Sequence, residues 1–131
     1  MPIHTNGLGH IALRVTDLAR AKRFYSEILG FPVMMEFADI VLVNAGGVLL
    51  GMRGGSLETA PDDRFNPMRV GIDHLALAVS DPAALEGLQK QLDAAGVRNN
   101  GVEDDTMTGG RYISFYDPDG IAWELYYLPT S

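Results

Sequence analysis

Two histidines and one glutamate are the residues of this chain best suited to metal chemistry. His10 and His74 stand in two closely similar segments, 7–17 and 71–81, and Glu124 lies in a short apolar run near the end of the sequence. The chain has no cysteine and only three histidines. A metal site would therefore use imidazole, carboxylate, hydroxyl or backbone oxygen ligands, and disulfides and thiolate chemistry are excluded.

The two histidine segments form an internal repeat. GLGHIALRVTD (7–17) and GIDHLALAVSD (71–81) are identical at six of eleven positions, and His10 and His74 occupy the same place in each copy. In a strand, alternate residues share a face, so each histidine lies beside alanine while the bulky aliphatic residues face the other way. Small residues around a histidine favour a ligand cavity over a packed core.

The same alternation of faces applies to Glu124. In the last strand, IAWELYY (121–127), it shares a face with Ala122 and Tyr126. Each residue alone has a simpler explanation, either as a hydrogen-bonded structural histidine or as a solvated glutamate. A carboxylate within an aromatic strand needs a partner, and a metal ion is one. Two histidines at equivalent repeat positions, together with a glutamate that the strand alternation places beside alanine in the same way, therefore predict a metal site. Its ligands would be His10, His74 and Glu124. His4, in the N-terminal tail, is given no role.

Each copy continues into the same set of elements. Asp17 is predicted to cap a helix over 18–29 that ends at Gly30, and Asp81, followed by Pro82, to cap a second helix that ends at Gly96. Three strands follow in each half, predicted over 32–37, 39–45 and 47–53 and over 97–103, 110–116 and 121–127. The segment 99–109 is predicted to contain a mobile loop. The sequence thus predicts an α+β protein of two tandem βαβββ modules, 7–53 and 70–128, joined by a linker over 54–69 within a single domain, 1–131.

Composition limits the partners of the protein. The net charge of −7 disfavours binding to nucleic acid and to anionic membranes. No apolar run approaches the length of about 18 residues that a membrane span requires. The N-terminal sequence MPIHTNG lacks the features of a signal peptide, so we expect a cytoplasmic protein.

At the level of motifs, the chain resembles the vicinal oxygen chelate superfamily, which includes glyoxalase I, extradiol dioxygenases, and fosfomycin- and bleomycin-resistance proteins. The resemblance covers about residues 7–127 and rests on GHIALRVTDLARAKRFYSEILGFPV, GIDHLALAVSD and ISFYDPDGIAWELY. It implies a curved, partly open mixed sheet around a central cavity. It also implies metal ligands on the first and last strands of each module, which again selects His10, His74 and Glu124.

The resemblance further implies a fourth ligand position, which falls at Gly51 when Gly47 is aligned with Gly120. Glycine offers no ligand, so coordination positions would stay open for water, substrate or O₂. Two histidines and one carboxylate form the ligand set of non-haem Fe(II) oxygenases, although Mn²⁺, Zn²⁺, Ni²⁺ or Co²⁺ could also bind. This favours a dioxygenase-like enzyme. The alternatives are a glyoxalase-type lyase or isomerase, a fosfomycin-type resistance enzyme, and a non-catalytic drug- or metabolite-binding protein.

The remaining candidate residues concern substrate and proton transfer. Ring-cleaving relatives carry a further acid/base histidine, and in its place this chain offers Tyr112 and Tyr126, whose alternative role is in the barrel wall. Arg14, Arg53 and Gly51 are predicted to contact a small substrate, which the two arginines would favour as an anion, unless they are solvated rim residues. Relatives of this length often form homodimers. We expect a homodimer here too. Some relatives exchange modules, so that His10 and Glu124 of one chain would meet His74 of the other, and the sequence leaves open whether this chain does so.

Overall fold

The computed structural model describes residues 2–129, which fold as two compact units divided between Asp63 and Arg64. Each unit is one βαβββ module with its own four-stranded mixed sheet. The predicted α+β class with two tandem modules is therefore confirmed. The division falls inside the segment 54–69, the predicted linker. No helix within residues 2–129 is long and apolar enough to cross a membrane.

The first module has the strand order β1-β4-β3-β2. Its first strand runs parallel to its last, and the other neighbouring strands are antiparallel. A parallel pair needs a crossover connection, which the helical segment after β1 supplies. The elements are β1 (His10–Arg14), α1 (Leu18–Lys22), a π-helical segment (Arg23–Ile28), β2 (Val33–Glu36), β3 (Ile40–Ala45) and β4 (Val48–Arg53).

The second module repeats this topology with the strand order β5-β8-β7-β6, and β5 is again parallel to β8. Its elements are β5 (Leu75–Ala78), a 3₁₀ turn (Pro82–Ala84), α2 (Leu85–Ala94), β6 (Asn99–Asp105), β7 (Gly110–Tyr116) and β8 (Ala122–Tyr127). The predicted cap is present, because the Asp81 carboxylate accepts a hydrogen bond from the Ala83 N–H at 2.9 Å. Gly96 ends this helical region with a φ of +72°, which glycine adopts without strain.

The first helix differs from its prediction in its second half. Asp17 caps it as expected, accepting from the Arg20 N–H at 3.0 Å, but α-helical geometry stops at Lys22. The Leu29 N–H then donates to the carbonyl of Phe24, five residues back, at 2.9 Å. A π-helical segment contains more residues per turn and so shifts the phase of every side chain after it.

This phase shift changes which residues of the helix are buried. Phe24 and Tyr25 are both buried, although they are adjacent in sequence. Ile28, which in a regular helix would lie on the same face as Tyr25 three residues earlier, is instead 41% exposed. The prediction of a regular helix over 18–29 is therefore wrong beyond Lys22, because it assumed a constant period of 3.6 residues.

Two strand predictions also need correction. The repeat segment 71–81 forms a strand only over Leu75–Ala78, so His74 precedes β5 rather than lying within it. The predicted loop over 99–109 is mostly strand, because β6 extends to Asp105 and only residues 106–109 form a turn. The Gly109 N–H closes that turn on the Asp105 carbonyl at 2.8 Å.

Each sheet has one apolar face and one face that carries the candidate site residues. In the first module Val15, Val41, Val43, Leu50 and Met52 are buried. In the second, Ile113, Phe115 and Trp123 are buried, and the rings of Phe115 and Trp123 stack at 6.5 Å. Burial of these side chains stabilises each sheet against its helix. The alternation predicted from the repeat is thus present, and it leaves the histidine-bearing face of each sheet open to a ligand.

Candidate functional site

His74 and Glu124 come together in the second module. Glu124 lies on β8 directly beside Ala76 of β5, and His74 precedes β5 by one residue. Because β5 and β8 are parallel neighbours, the two side chains extend over the same face of the sheet. The Nε2 atom of His74 lies 3.4 Å from the Oε1 atom of Glu124. The predicted pairing of these two residues is therefore present within one module.

Asp73 orients the imidazole of His74. Its Oδ1 atom lies 2.6 Å from the His74 Nδ1 atom, and a carboxylate can only accept a hydrogen bond there. In the neutral ring the proton therefore resides on Nδ1 and the Nε2 lone pair lies on the side of Glu124, whereas in the charged ring an Nε2–H faces that carboxylate. A carboxylate that holds the far nitrogen of a histidine is the usual support of a metal-binding imidazole.

Burial and nearby carboxylates raise the pKa of Glu124. The largest cause is loss of solvent, and the negative charges of Asp105, Asp73 and Glu103 raise the pKa further, whereas His74 lowers it. The side chain of Glu124 is only 15% exposed. A partly buried carboxylate among other carboxylates is costly unless a cation compensates it. The site is therefore electrostatically suited to a positive ion.

The donor set also fits a divalent metal in geometry. Two ligands that are each about 2.1 Å from one ion lie about 3.0–3.4 Å apart when they occupy neighbouring coordination positions. The His74–Glu124 separation of 3.4 Å matches this spacing. Among residues 2–129, however, no three His, Cys, Asp or Glu side chains form a group that could hold a metal. The structure thus brings together two of the three predicted ligands.

His10 lies on β1 of the first module, at the repeat position of His74. It is exposed and is paired in the sheet with Leu49 of β4. Its role as a third ligand stays a prediction. One detail of the module-exchange expectation is wrong, because Glu124 and His74 belong to the same module. In an exchanged dimer, His10 would be the residue that comes from the other chain.

Gly51 occupies the position in the first module that Glu124 has in the second. Gly51 pairs with Ala12 as Glu124 pairs with Ala76, so the ladder gives the same equivalence as the sequence alignment. A Cβ atom on Gly51 would lie 3.0 Å from the Cδ2 atom of Leu42. Leucine thus fills the space that a fourth ligand would need. Contact between Gly51 and substrate stays a prediction.

The hydroxyl of Tyr126 is already engaged in hydrogen bonds. It donates to Asp105 Oδ2 at 2.7 Å and forms a second short hydrogen bond with the Thr108 hydroxyl. The Tyr126 hydrogen bond is the main reason that the pKa of Asp105 is lowered. The hydroxyl is thus held by the β6–β7 turn. Tyr126 is better placed to fix that turn than to transfer a proton.

Tyr112 stacks on Tyr126, with ring centroids 5.7 Å apart. A hydrogen bond to Glu103, followed by burial and the charges of Glu103, Glu124 and Asp105, raises its pKa to about 12. Tyr112 therefore stays protonated at neutral pH. Its single hydroxyl proton is donated to Glu103, and Tyr112 is unsuited to act as a base. The catalytic roles of Tyr112 and Tyr126 stay predictions.

Arg14 and Arg53 are direct neighbours in the first sheet, on the face of β1 and β4 that carries His10. The Arg14 Nη1 atom donates to the Gly54 carbonyl at 3.4 Å. Within residues 2–129, neither arginine forms an ion pair with a carboxylate, so both charges are available to an anion. Their contact with substrate stays a prediction.

Asp73, Glu103, Asp105 and Thr108 were not singled out from the sequence. Asp73 carried a usable signal, since it stands next to His74 where the first copy has Gly9 beside His10. The other three residues depend on the pairing of β6 with β7 and on the turn between them. No local pattern in the sequence marks such long-range contacts.

Comparison with known proteins identifies the family. The sequence profile of the Glyoxalase/Bleomycin resistance protein/Dioxygenase superfamily matches residues 7–125. The uncharacterized protein YaeR of Escherichia coli is 31% identical over 126 residues, which cover 89% of this chain and 92% of that protein. The chain therefore belongs to this superfamily, as its motifs imply.

Two relatives carry an activity in their names. Manganese-dependent 2,3-dihydroxybiphenyl 1,2-dioxygenase of Geobacillus genomosp. 3 is 28% identical over 120 residues, covering 91% of this chain and 36% of the relative. Catechol-2,3-dioxygenase of Bacillus subtilis is 28% identical over 116 residues, covering 82% of this chain and 40% of the relative. The chain thus spans well under half the length of either dioxygenase.

Solved structures share the fold over nearly the whole chain. A glyoxylase/bleomycin resistance protein/dioxygenase domain from Frankia sp. EAN1pec is 26% identical, with a TM-score of 0.81, and covers 96% of this chain and 100% of its own. The fosfomycin resistance protein FosX from Listeria monocytogenes is 21% identical, with a TM-score of 0.76, and covers 96% of each chain. At that identity, the likeness to FosX concerns the fold alone.

Proposed function

We propose that this protein is a divalent-metal-dependent enzyme that acts on a small molecule with two adjacent oxygen atoms, in the manner of its dioxygenase relatives. The observation that carries the proposal is the His74–Glu124 pair at 3.4 Å, with Asp73 behind the imidazole. A purely structural histidine does not require a partly buried carboxylate at its second nitrogen. His10, of the same chain or of a second copy, is the proposed third ligand.

The metal would supply Lewis acidity and a template for two substrate oxygens. The protein residues have separate tasks. Asp73 holds the His74 proton on Nδ1, so that Nε2 presents a lone pair. Glu124 contributes a negative charge that solvent does not screen well. Tyr112 stays protonated at neutral pH and donates its single hydroxyl proton to Glu103, so it would have to release Glu103 to donate to a substrate oxygen.

The identity of the ion belongs to this proposal. Two imidazoles and one carboxylate suit Fe²⁺, which the dioxygenase interpretation favours, and Mn²⁺ is the metal in the name of one relative. A FosX structure of the same fold was crystallised with Mn(II) and a dihydroxypropylphosphonic acid. Zn²⁺, Ni²⁺ and Co²⁺ are compatible with the same ligands.

Metal content tests the proposal directly. After removal of metal by a chelator, the protein is reconstituted with Mn²⁺ or with Fe²⁺ under anaerobic conditions, and bound metal is measured. We expect about one ion per chain in the wild type, and its loss in His74→Ala, Glu124→Ala and His10→Ala. His4→Ala is the matched control and should bind as the wild type does. A wild type that retains no metal under any of these conditions would refute the proposal.

A second experiment tests the reaction. The Fe²⁺-loaded protein is mixed with a panel of catechols, and O₂ is then added. A dioxygenase should consume O₂ and form coloured ring-cleavage products, and the His74→Ala protein should form none. Metal binding without O₂ consumption across the panel would contradict the dioxygenase and leave a glyoxalase-type lyase or isomerase, a fosfomycin-type resistance enzyme, or a metal-binding protein without catalytic activity.

A further inference from the structure

A cleft of about 560 Å³ opens at one end of the second module, where β7 ends and β8 begins. This volume lies within the range of about 300–1,000 Å³ that is typical of small-molecule sites. The cleft is lined by the segment before β5, by the residue before β6, and by the β7–β8 connection with its flanking residues. These residues are Arg64, Phe65, Pro67, Arg98, Tyr116, Asp117, Pro118, Gly120 and Ala122.

Backbone hydrogen bonds fix the walls of this cleft. The Phe65 N–H donates to the Asp119 carbonyl at 2.9 Å, which holds the segment before β5 against the turn. The Tyr116 N–H donates to the Arg98 carbonyl at 3.1 Å, which places Arg98 beside the end of β7. Tyr116 and Ala122 are cross-strand partners, so the small alanine leaves space beside the tyrosine ring. The cleft is therefore built by ordered backbone.

The first module provides an internal comparison. There the Asn44 N–H donates to the Pro32 carbonyl at 2.9 Å, the counterpart of the Tyr116–Arg98 hydrogen bond. Asn44 pairs with Leu49 as Tyr116 pairs with Ala122. The repeat thus has proline, asparagine and leucine where the second module has arginine, tyrosine and alanine. The fold itself does not require the cationic and aromatic side chains of the second module.

The chemistry of the cleft suits an anion attached to a flat ring. The guanidinium of Arg98 lies 4.0 Å from the centroid of the Tyr116 ring. The Tyr116 hydroxyl accepts a hydrogen bond from Asn100 Nδ2 at 3.0 Å, which fixes the ring. Within residues 2–129, Arg98 forms no ion pair with a carboxylate. Its N–H groups can therefore bind a carboxylate in two-point fashion.

The acidic residues at the cleft are engaged elsewhere. The Asp117 Oδ1 atom accepts hydrogen bonds from the N–H groups of Asp119 and Ile121, at 2.9 and 2.8 Å. The Asp119 Oδ1 atom lies 3.9 Å from Arg64 Nη1. Asp117 is thus held by the backbone of the turn, and Asp119 lies near Arg64, which also lines the cleft. Of the two arginines at the cleft, Arg98 is the one without a carboxylate partner among residues 2–129, although the chain as a whole has a net charge of −7.

The cleft extends to Ala122, which lies near Glu124 on the same strand. Ala122 precedes Glu124 by two residues on β8, so the two share a face and their Cα atoms are about 7 Å apart. We propose that this cleft is the subsite for a carboxylate-bearing ring of the substrate, with Arg98 binding the carboxylate and Tyr116 supporting the ring. The link to catalysis rests on the proposed function. Binding in the cleft itself does not require the metal.

Two probe molecules that differ by one carboxylate test this assignment. The binding of 3,4-dihydroxybenzoate and of catechol is measured by calorimetry, on the metal-free protein and on the protein loaded with Mn²⁺. In the wild type we expect 3,4-dihydroxybenzoate to bind at least tenfold more tightly than catechol in both states. Arg98→Gln should remove this preference. Ala122→Leu, which introduces the residue of the first module, should weaken both ligands about tenfold by filling the cleft.

Arg23→Gln, in the first module, is the control for loss of one positive charge and should keep the wild-type preference. The assignment is overturned if the wild type does not prefer 3,4-dihydroxybenzoate over catechol. It is also overturned if this preference survives Arg98→Gln, or if Arg23→Gln removes it. If Ala122→Leu fails to fold, Arg98→Gln decides alone. The metal site could be absent while the subsite is present. In that case the metal-free protein would still bind 3,4-dihydroxybenzoate more tightly than catechol. If the protein binds metal but does not prefer 3,4-dihydroxybenzoate over catechol, the subsite assignment is overturned and the proposed metal site is not.

Discussion

At the residue scale, Asp73 determines which nitrogen of His74 is available to a ligand. The 2.6 Å contact between Asp73 Oδ1 and His74 Nδ1 fixes both the ring orientation and the tautomer. Residues that support a metal ligand in this way typically contribute 10- to 100-fold in affinity. We therefore predict that Asp73→Ala weakens Mn²⁺ binding by about 10- to 100-fold, as measured by competition with a chelator.

The control for this prediction is Asp62→Ala, which removes an exposed carboxylate from the first unit and should leave the affinity unchanged. Asp73→Asn keeps a hydrogen-bond acceptor without the charge, so its affinity should fall between those of the wild type and Asp73→Ala. Equal affinities in Asp73→Ala and Asp62→Ala would show that Asp73 does not orient the imidazole.

Tyr112 gives a prediction about pH. Its pKa is raised to about 12, first by the hydrogen bond to Glu103. A raised pKa in the folded state means that the contribution to stability is complete below the unfolded value of about 10 and is lost as the pH rises through about 12. Glu103→Gln should therefore lower the pKa of Tyr112 and reduce stability below about pH 10, and its difference in stability from the wild type should shrink as the pH rises through about 12.

The tyrosinate absorbance of each protein is titrated, and Tyr112→Phe identifies the contribution of this ring. Glu27→Gln, an exposed glutamate of the first module, is the matched control and should leave the titration unchanged. If Glu103→Gln titrates as the wild type does, the Glu103 hydrogen bond is not the cause of the raised pKa.

Residue-level prediction from the sequence succeeded where the signal was local. Alternation along a strand is a property of neighbouring residues, so His74 and Glu124 could be assigned to one face before the structure was known. The engagement of the Tyr126 hydroxyl by Asp105 and Thr108 could not be predicted in this way, because it depends on a turn between two other strands.

At the element scale, Asp117 organises the β7–β8 connection. It is 6% exposed, and its Oδ1 atom accepts hydrogen bonds from two backbone N–H groups of the turn. Removing a buried acceptor leaves donors unsatisfied, at a cost of about 1–3 kcal/mol for each group. We predict that Asp117→Ala lowers the free energy of unfolding by about 2–3 kcal/mol in urea denaturation.

Asp39→Ala serves as the comparison for Asp117→Ala. Asp39 is exposed and lies in the connection between β2 and β3, so its removal should change stability by no more than about 0.5 kcal/mol. A loss of similar size in both variants would mean that the buried carboxylate does not hold the turn.

The elements themselves show where sequence patterns stop being sufficient. The helix caps at Asp17 and Asp81 and the strands of both modules were predicted with errors of only one or two residues at most ends. The π-helical segment was missed, because the prediction used one constant helical period. In the structure the adjacent residues Phe24 and Tyr25 are both buried, a pattern that a constant period of 3.6 residues does not indicate.

At the scale of the whole molecule, each of the two sheets ends in edge strands that pair on one side within the sheet. β1 and β2 are the edges of the first sheet, and β5 and β6 are the edges of the second. Exposed edges favour pairing with another chain. Each module has its own sheet and its own buried residues, so one module could be exchanged between two copies. We predict a homodimer, and light scattering that gives a monomer at micromolar concentration would contradict this.

Complementation between two inactive variants tests whether the modules are exchanged. Because His74 and Glu124 belong to one module, an exchanged site would combine them with His10 of the other chain. His10→Ala and His74→Ala chains are unfolded together, refolded, and assayed for bound Mn²⁺. Random pairing makes half of the dimers mixed, and each mixed dimer regains one of its two sites. We expect metal at about a quarter of the wild-type level.

Refolding each variant alone is the control, and each should bind no metal. A mixture of His10→Ala with Glu124→Ala should recover metal to the same extent, because Glu124 and His74 move together. A mixture of His74→Ala with Glu124→Ala should recover none, since both substitutions damage the same module. If no mixture recovers metal while the wild type regains it after the same refolding, each chain builds its site from its own two modules.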